Sequence, residues 1–165
     1  MSGSPDDDGF RVLRAIRRIV RQVSRYSRQV GRDSGLGVPQ ILCLRAIAEA
    51  PSDLDVTVAH VASTVHLSRS TTSILVDRLV REGLVTRERN DRDRRRVQLG
   101  LTPAGRARLD QAPAPLESRF LERLSAIDPS ERASLVASLE RVVDLMDAED
   151  LDASPLLVDG ADLDR

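Results

Sequence analysis

The chain has 165 residues, a size that suits one domain or a small module with an added oligomerisation layer, and it is long enough to bury a core. With one cysteine, Cys43, and two histidines, His60 and His66, it has no intramolecular disulfide framework and no metal-ligand spacing, so neither a metal nor another cofactor is expected. The net charge of −1 hides a sorting along the chain: residues 11–32 hold eight Arg and no acid, residues 69–108 eleven Arg against five acids, and residues 109–165 five Arg against fourteen acids.

Residues 1–9 are polar, acidic and broken by Gly and Pro, and read as a disordered lead-in. Asp6, Asp7 and Asp8 oppose the basic start of a secretion signal, and no run approaches the roughly 18 apolar residues of a membrane span. A cytoplasmic protein without a membrane partner is therefore expected. From Val12 on, Val12, Ile16, Ile19, Val23, Tyr26 and Val30 recur at spacings of four and three. That spacing draws one apolar stripe on a helix, and a stripe so regular wants a partner helix, as from a second subunit. Arg11, Arg14, Arg18, Arg21, Arg25, Arg28 and Arg32 form a second stripe beside it.

The break at residues 35–38 is followed by Pro39 in the first turn of a second helix that runs to about Ala50. Thr57 is placed to cap a short helix ending near Leu67, and Ser68 to cap another from Arg69 to about Glu82, with Gly83 where a helix-ending glycine belongs. On this last helix Ile74, Leu75, Leu79 and Val80 are expected to face inward, leaving Arg69, Ser70, Ser73 and Asp77 on the other side.

After Gly83 the pattern turns strand-like, with LVTRERN, a charged tip and then RVQLGLT alternating at Val97, Leu99 and Leu101, which is a β-hairpin. Thr102 and Pro103 start another helix, Pro113 and Pro115 interrupt it, and Leu116, Phe120 and Leu124 resume an apolar face. Asp128 with Pro129 opens a last helix with Leu135, Leu139, Val142 and Met146 inside. Residues 149–165 read as an acidic tail.

Two short helices, a brief turn and a hairpin with a basic tip describe a winged helix-turn-helix. The expected fold is mainly α with a small β-hairpin wing. The DNA-binding module spans residues 38–102, helical dimerisation regions span 10–34 and 103–148, and the tail spans 149–165. The candidate recognition helix opens with Ser68, Arg69, Ser70, Thr71, Thr72 and Ser73, hydroxyls and a guanidinium suited to phosphates and base edges, and Arg78 follows on the same helix. The tip holds Arg92, Arg94, Arg95 and Arg96, with Asp93 interleaved. A narrow minor groove concentrates negative potential and attracts such arginines. Double-stranded DNA is the expected partner.

These residues carry a resemblance. The stretch from Thr57 to Gly105 resembles the multiple-antibiotic-resistance regulator (MarR) family of transcription factors, through SRSTTSILVDRLVREGLV and the wing run NDRDRRRVQLGLTPAG. Two departures stand out: Asn90 replaces the usual acid before the tip, and Ile74 occupies a position where many members have a polar or basic residue. The resemblance implies a homodimer on a nearly palindromic operator, acting as a repressor and released by a small-molecule effector. It also implies that Asp93 orients Arg95 for minor-groove insertion and that Ser70, Thr71 and Ser73 face the major groove.

With three aromatic residues in the chain, an effector site based on ring stacking has few candidates. Arg14, Arg18, Arg21 and Arg25, with Tyr26, are the candidate contacts for an anionic effector, although the same arginines suit ion pairs with the acidic C-terminal region. Cys43, between Leu42 and Leu44, reads as a small buried apolar residue, with redox sensing as an alternative. A second alternative is a protein-interaction module that kept the fold and lost DNA binding. No phosphate-binding glycine loop or nucleophile elbow points to an enzyme.

Overall fold

The structure, a computed structural model, describes residues 5–89 and 97–151. The elements run α1 (Pro5–Ser34), α2 (Val38–Ala48), α3 (Val58–Thr64), α4 (Arg69–Arg81), β1 (Val85–Arg89), β2 (Val97–Leu101), α5 (Pro103–Gln111), α6 (Leu116–Ser125) and α7 (Pro129–Leu145). This mostly helical order with one two-stranded hairpin is the fold class expected from the sequence. Packing divides the chain into one compact unit ending at Pro113 and a second beginning at Ala114.

The first helix departs from expectation. Residues 5–9, read from composition as disordered, are its opening turns. Pro5 lacks an N–H that the first turn would leave unused anyway, and Asp6, Asp7 and Asp8 sit where carboxylates oppose the positive end of the helix dipole. The Arg11 guanidinium adds an ion pair to Asp8 at 3.1 Å. The polar composition that mimics disorder is thus also that of a helix start. At the other end Gly35, at φ +70°, takes the left-handed conformation after the last turn, and Arg108 of α5 donates to the Ser34 carbonyl at 2.6 Å.

The caps read from the sequence form. Thr57, Ser68 and Thr102 hydroxyls accept from the backbone N–H groups of His60, Thr71 and Gly105, and the Asp128 carboxylate from that of Ser130. Each satisfies a donor that the first helical turn cannot pair internally. The Ser130 hydroxyl and N–H together hold the Asp128 carboxyl below the usual carboxylate range.

One core holds the first unit together. It gathers Val30 and Leu36, the inward faces of α2 (Ile41, Cys43, Leu44 and Ile47) and α4 (Val76 and Leu79), and Leu99 and Leu109. The hairpin pairs Val85 with Leu101 through to Arg89 with Val97. Its base is joined to the chain before α3, where the Leu99 N–H donates to the Val56 carbonyl at 2.7 Å. Helix α5, grouped by sequence with the dimerisation region, buries Leu109 in this core.

The second unit has no buried residue in either of its helices. Phe120 on α6 is 57 % exposed, and Leu139 on α7, expected inside, is 54 % exposed. The N-terminal half of α1 is similar, with Val12 and Ile19 exposed on the stripe read from the sequence. Among the described residues these apolar stripes stand exposed.

Candidate nucleic-acid interface

Helix α4 lies against α2 and α3 through Thr72, Val76 and Leu79, all fully buried. The spacing of four and three residues puts these three on one line of the helix. Thr72 joins that line despite its hydroxyl because the hydroxyl donates to the Ser68 carbonyl at 2.9 Å and so enters the interior satisfied. This corrects two sequence expectations. Thr72, counted among the DNA-facing residues, points into the core. Ile74, expected inward, is 68 % exposed. The error lay in assigning the inward face by apolar character alone, when the line set by Val76 and Leu79 already selects Thr72 and leaves Ile74 outside.

The outward arc of α4 consists of Ser70, Ile74, Asp77, Arg78 and Arg81, with Arg69 exposed at the helix start and Thr71 and Ser73 half-buried at its flanks. At its N-terminal end Ser68 Oγ lies 2.9 Å from Ser70 Oγ and 2.8 Å from Thr71 Oγ1, a hydroxyl cluster around the cap. Ser68 is therefore occupied as the capping residue. Arg78 pairs with Glu82 at 3.0 Å along the helix. Asp77 reaches Arg87 of β1 at 2.8 Å, a tie between helix and hairpin that the sequence did not signal. Partly exposed, this pair adds little to stability, but it fixes the helix against the first strand.

Arg92, Asp93, Arg94, Arg95 and Arg96, together with Asn90, lie outside the described residues, as does the tail beyond residue 151.

On α1, Arg14, Arg18, Arg21 and Arg25 are exposed on one face, whereas Tyr26 is half-buried and packs against the core. Spacings of four, three and four residues align the arginines, and Tyr26 falls outside that row, so the five effector candidates do not form one surface on this helix.

Cys43 is fully buried in α2, and desolvation pushes its thiol up to about 12. A thiol held protonated and away from solvent is a poor oxidant sensor. Two results are expected. A thiol reagent should leave the native protein unmodified at pH 8 and modify it on unfolding. The sign of the pH effect follows from linkage: an unfolded thiol titrates near 9.0, so between there and about 12 the unfolded state has given up a proton that the folded state retains. This contribution to stability is intact below about pH 9 and is lost as pH rises toward 12, and Cys43→Ala should flatten the decline seen in chemical unfolding. Rapid native modification would contradict the burial.

Among the described residues no group of three or more His, Cys, Asp or Glu side chains is placed to hold a metal ion, and no helix is long and apolar enough to cross a membrane.

Two helices crossing at a short turn, the second bearing hydroxyls and arginines outward, with a hairpin joined to it by an ion pair, define a winged helix-turn-helix protein. Residues 34–96 match the sequence model of the MarR family. A B. subtilis protein described as the uncharacterised HTH-type transcriptional regulator YsmB is 27 % identical over 105 residues, spanning 64 % of this chain and 70 % of that one. The solved structure of the transcriptional regulator BldR from Sulfolobus solfataricus is 26 % identical, covers 87 % of this chain and 99 % of its own, and superposes with a TM-score of 0.52. The S. aureus MepR–DNA complex, at 19 % identity, shares the fold, with a TM-score of 0.57 over 80 % of this chain and 94 % of its own. The chain is similar to the MarR family of transcriptional regulators, through the match over residues 34–96 and the shared winged helix-turn-helix fold.

Proposed function

We propose that the chain is a homodimeric repressor that binds a pseudo-palindromic operator in double-stranded DNA and leaves it when a small-molecule effector binds. The observation that carries this reading is the outward arc of α4, where Ser70, Arg78 and Arg81 stand exposed with Arg69 at the helix start, next to a hairpin whose connecting tip holds four arginines. Arg69, Ser70, Thr71 and Ser73 take the major-groove edge, and Arg78 a phosphate. Arg92, Arg94, Arg95 and Arg96 enter or flank the minor groove, with Asp93 orienting Arg95.

The exposed apolar faces of α1, α6 and α7 support the homodimer, because each presents large side chains to water in the single chain. In this reading residues 38–102 act as the DNA-binding module, with 10–34 and 103–148 as the dimerisation region. Repression, rather than activation, is carried over from the MarR family that the chain resembles, as is release by an effector. An anionic effector would meet Arg14, Arg18, Arg21 and Arg25, with Tyr26 contributing from the neighbouring face.

Binding to an operator duplex should weaken steeply and linearly in log salt, with a slope set by the number of phosphates neutralised. Arg95→Ala should cost at least ~1 kcal/mol of operator affinity while the dimer stays intact in sedimentation. Flat salt dependence would remove the DNA reading, and dissociation of the Arg95→Ala dimer would show that the tip belongs to the subunit interface.

A further inference from the structure

Ile74 lies about 170° around α4 from the centre of the buried line through Thr72, Val76 and Leu79. Arg81, in the last turn, lies on the same face opposite the core, so Ile74 sits at the middle of that face, and its side chain is 68 % exposed. Its neighbours on the arc, Ser70, Asp77, Arg78 and Arg81, are all polar or charged. Among the described residues nothing accounts for an isoleucine there: it buries little apolar surface, and a β-branched residue is a weaker helix former at an exposed position than the Arg or Glu residues common in this chain. Beside it opens a cleft of about 410 Å³ between the start of α2 and α4, with Pro39, Gln40, Thr71, Leu75 and Arg78 in its walls. The outward arc therefore carries a branched aliphatic group at its middle, beside a recess with both polar and apolar walls.

In the major groove the feature that matches such a group is the 5-methyl of thymine, which projects from the base edge and marks an A·T pair by apolar contact rather than by hydrogen bonding. The flanking hydroxyls read bases loosely, since Ser and Thr both donate and accept. We propose that Ile74 is a specificity-determining residue that packs on a thymine methyl in each half-site, so the operator requires that methyl at one fixed position. The inference rests on α4 being the recognition helix of the proposed DNA-binding function, and it adds the base that this helix selects at its centre.

The test uses the full-length protein and a duplex enriched by it from a randomised 24-base-pair pool. Each thymine is replaced in turn by uracil, which removes the methyl and leaves every hydrogen-bonding group in place. One position per half-site should lower wild-type affinity about three- to tenfold on losing its methyl, and 5-methylcytosine placed there in a C·G pair should bind better than cytosine. Ile74→Ala should bind the thymine and uracil duplexes within twofold of each other while keeping the wild-type salt slope. Ile74→Val, which retains branching, should keep part of the discrimination. Both substitutions are on an exposed side chain, and unchanged thermal unfolding would show that the helix is intact. If no uracil substitution affects the wild type, or if Ile74→Ala keeps the same sensitivity, the inference is overturned while the salt-dependent DNA reading stands. Failure of the wild type to enrich any duplex overturns both.

Discussion

Gly105→Ala is expected to destabilise the first compact unit by at least ~2 kcal/mol, within the range for forcing a methyl into a filled interior. The glycine is buried in the first turn of α5, and a Cβ built on it would collide with the Leu84 carbonyl oxygen and approach Leu101 Cδ1 to 2.9 Å. A flexible side chain could yield, but Leu84 is held at both ends of its peptide. Its N–H donates to the Leu79 carbonyl at 2.9 Å, and its carbonyl accepts from Thr102 N–H at 3.1 Å. Relief would have to come from shifting α5 off the hairpin base, which also disturbs Leu109 in the core. A fall in Tm of roughly 4 °C or more is expected for a chain of this size. An unchanged Tm would mean that α5 sits farther from Leu84 than described.

The second large effect is expected at Leu79. It is fully buried in α4 and belongs to the same core as Leu44 and Val76. Leu79→Ala should cost about 3 kcal/mol or more, combining the lost transfer of the side chain with the cavity left behind. Its neighbour in sequence provides the control, because Arg78 is exposed and its pair with Glu82 is of the type worth little. Urea unfolding should therefore separate the two alanine variants widely, whereas DNA binding should penalise Arg78→Ala through a lost phosphate contact. A loss under about 1 kcal/mol for Leu79→Ala would be too small for a closely packed leucine and would question the orientation of α4.

Features that depend on local chemistry were legible in the residues. The caps at Thr57, Ser68, Thr102 and Asp128, the breaks at Pro113 and Pro115, and the hairpin alternation at Val97, Leu99 and Leu101 each follow from neighbours a few positions away, and the structure places each one there. Features set by distant partners were not. The Arg108 bond to Ser34 spans 74 positions, and the Leu99 bond to Val56 uses backbone groups that no side chain advertises. The exchange of Thr72 and Ile74 falls between these cases, since helical spacing held the answer and residue polarity obscured it. At the candidate site, the outward placement of Arg69, Ser70 and Arg78 follows from reading one helix, while the tie from Asp77 to Arg87 needed the strand to be in place.

The anchoring of α1 has a mechanical side. Thirty residues of α-helix extend about 45 Å. Among the described residues, the core and Arg108 grip α1 in its last turns, at Tyr26, Val30 and Ser34. A rod held at one end multiplies angle into distance, so a tilt of about 5° at the grip carries the far end by about 4 Å. In a dimer built on that rod, the separation of the two recognition helices would be set like the opening of calipers, and a modest change in how Arg108 holds Ser34 would be enough to move them out of step with the turns of a duplex.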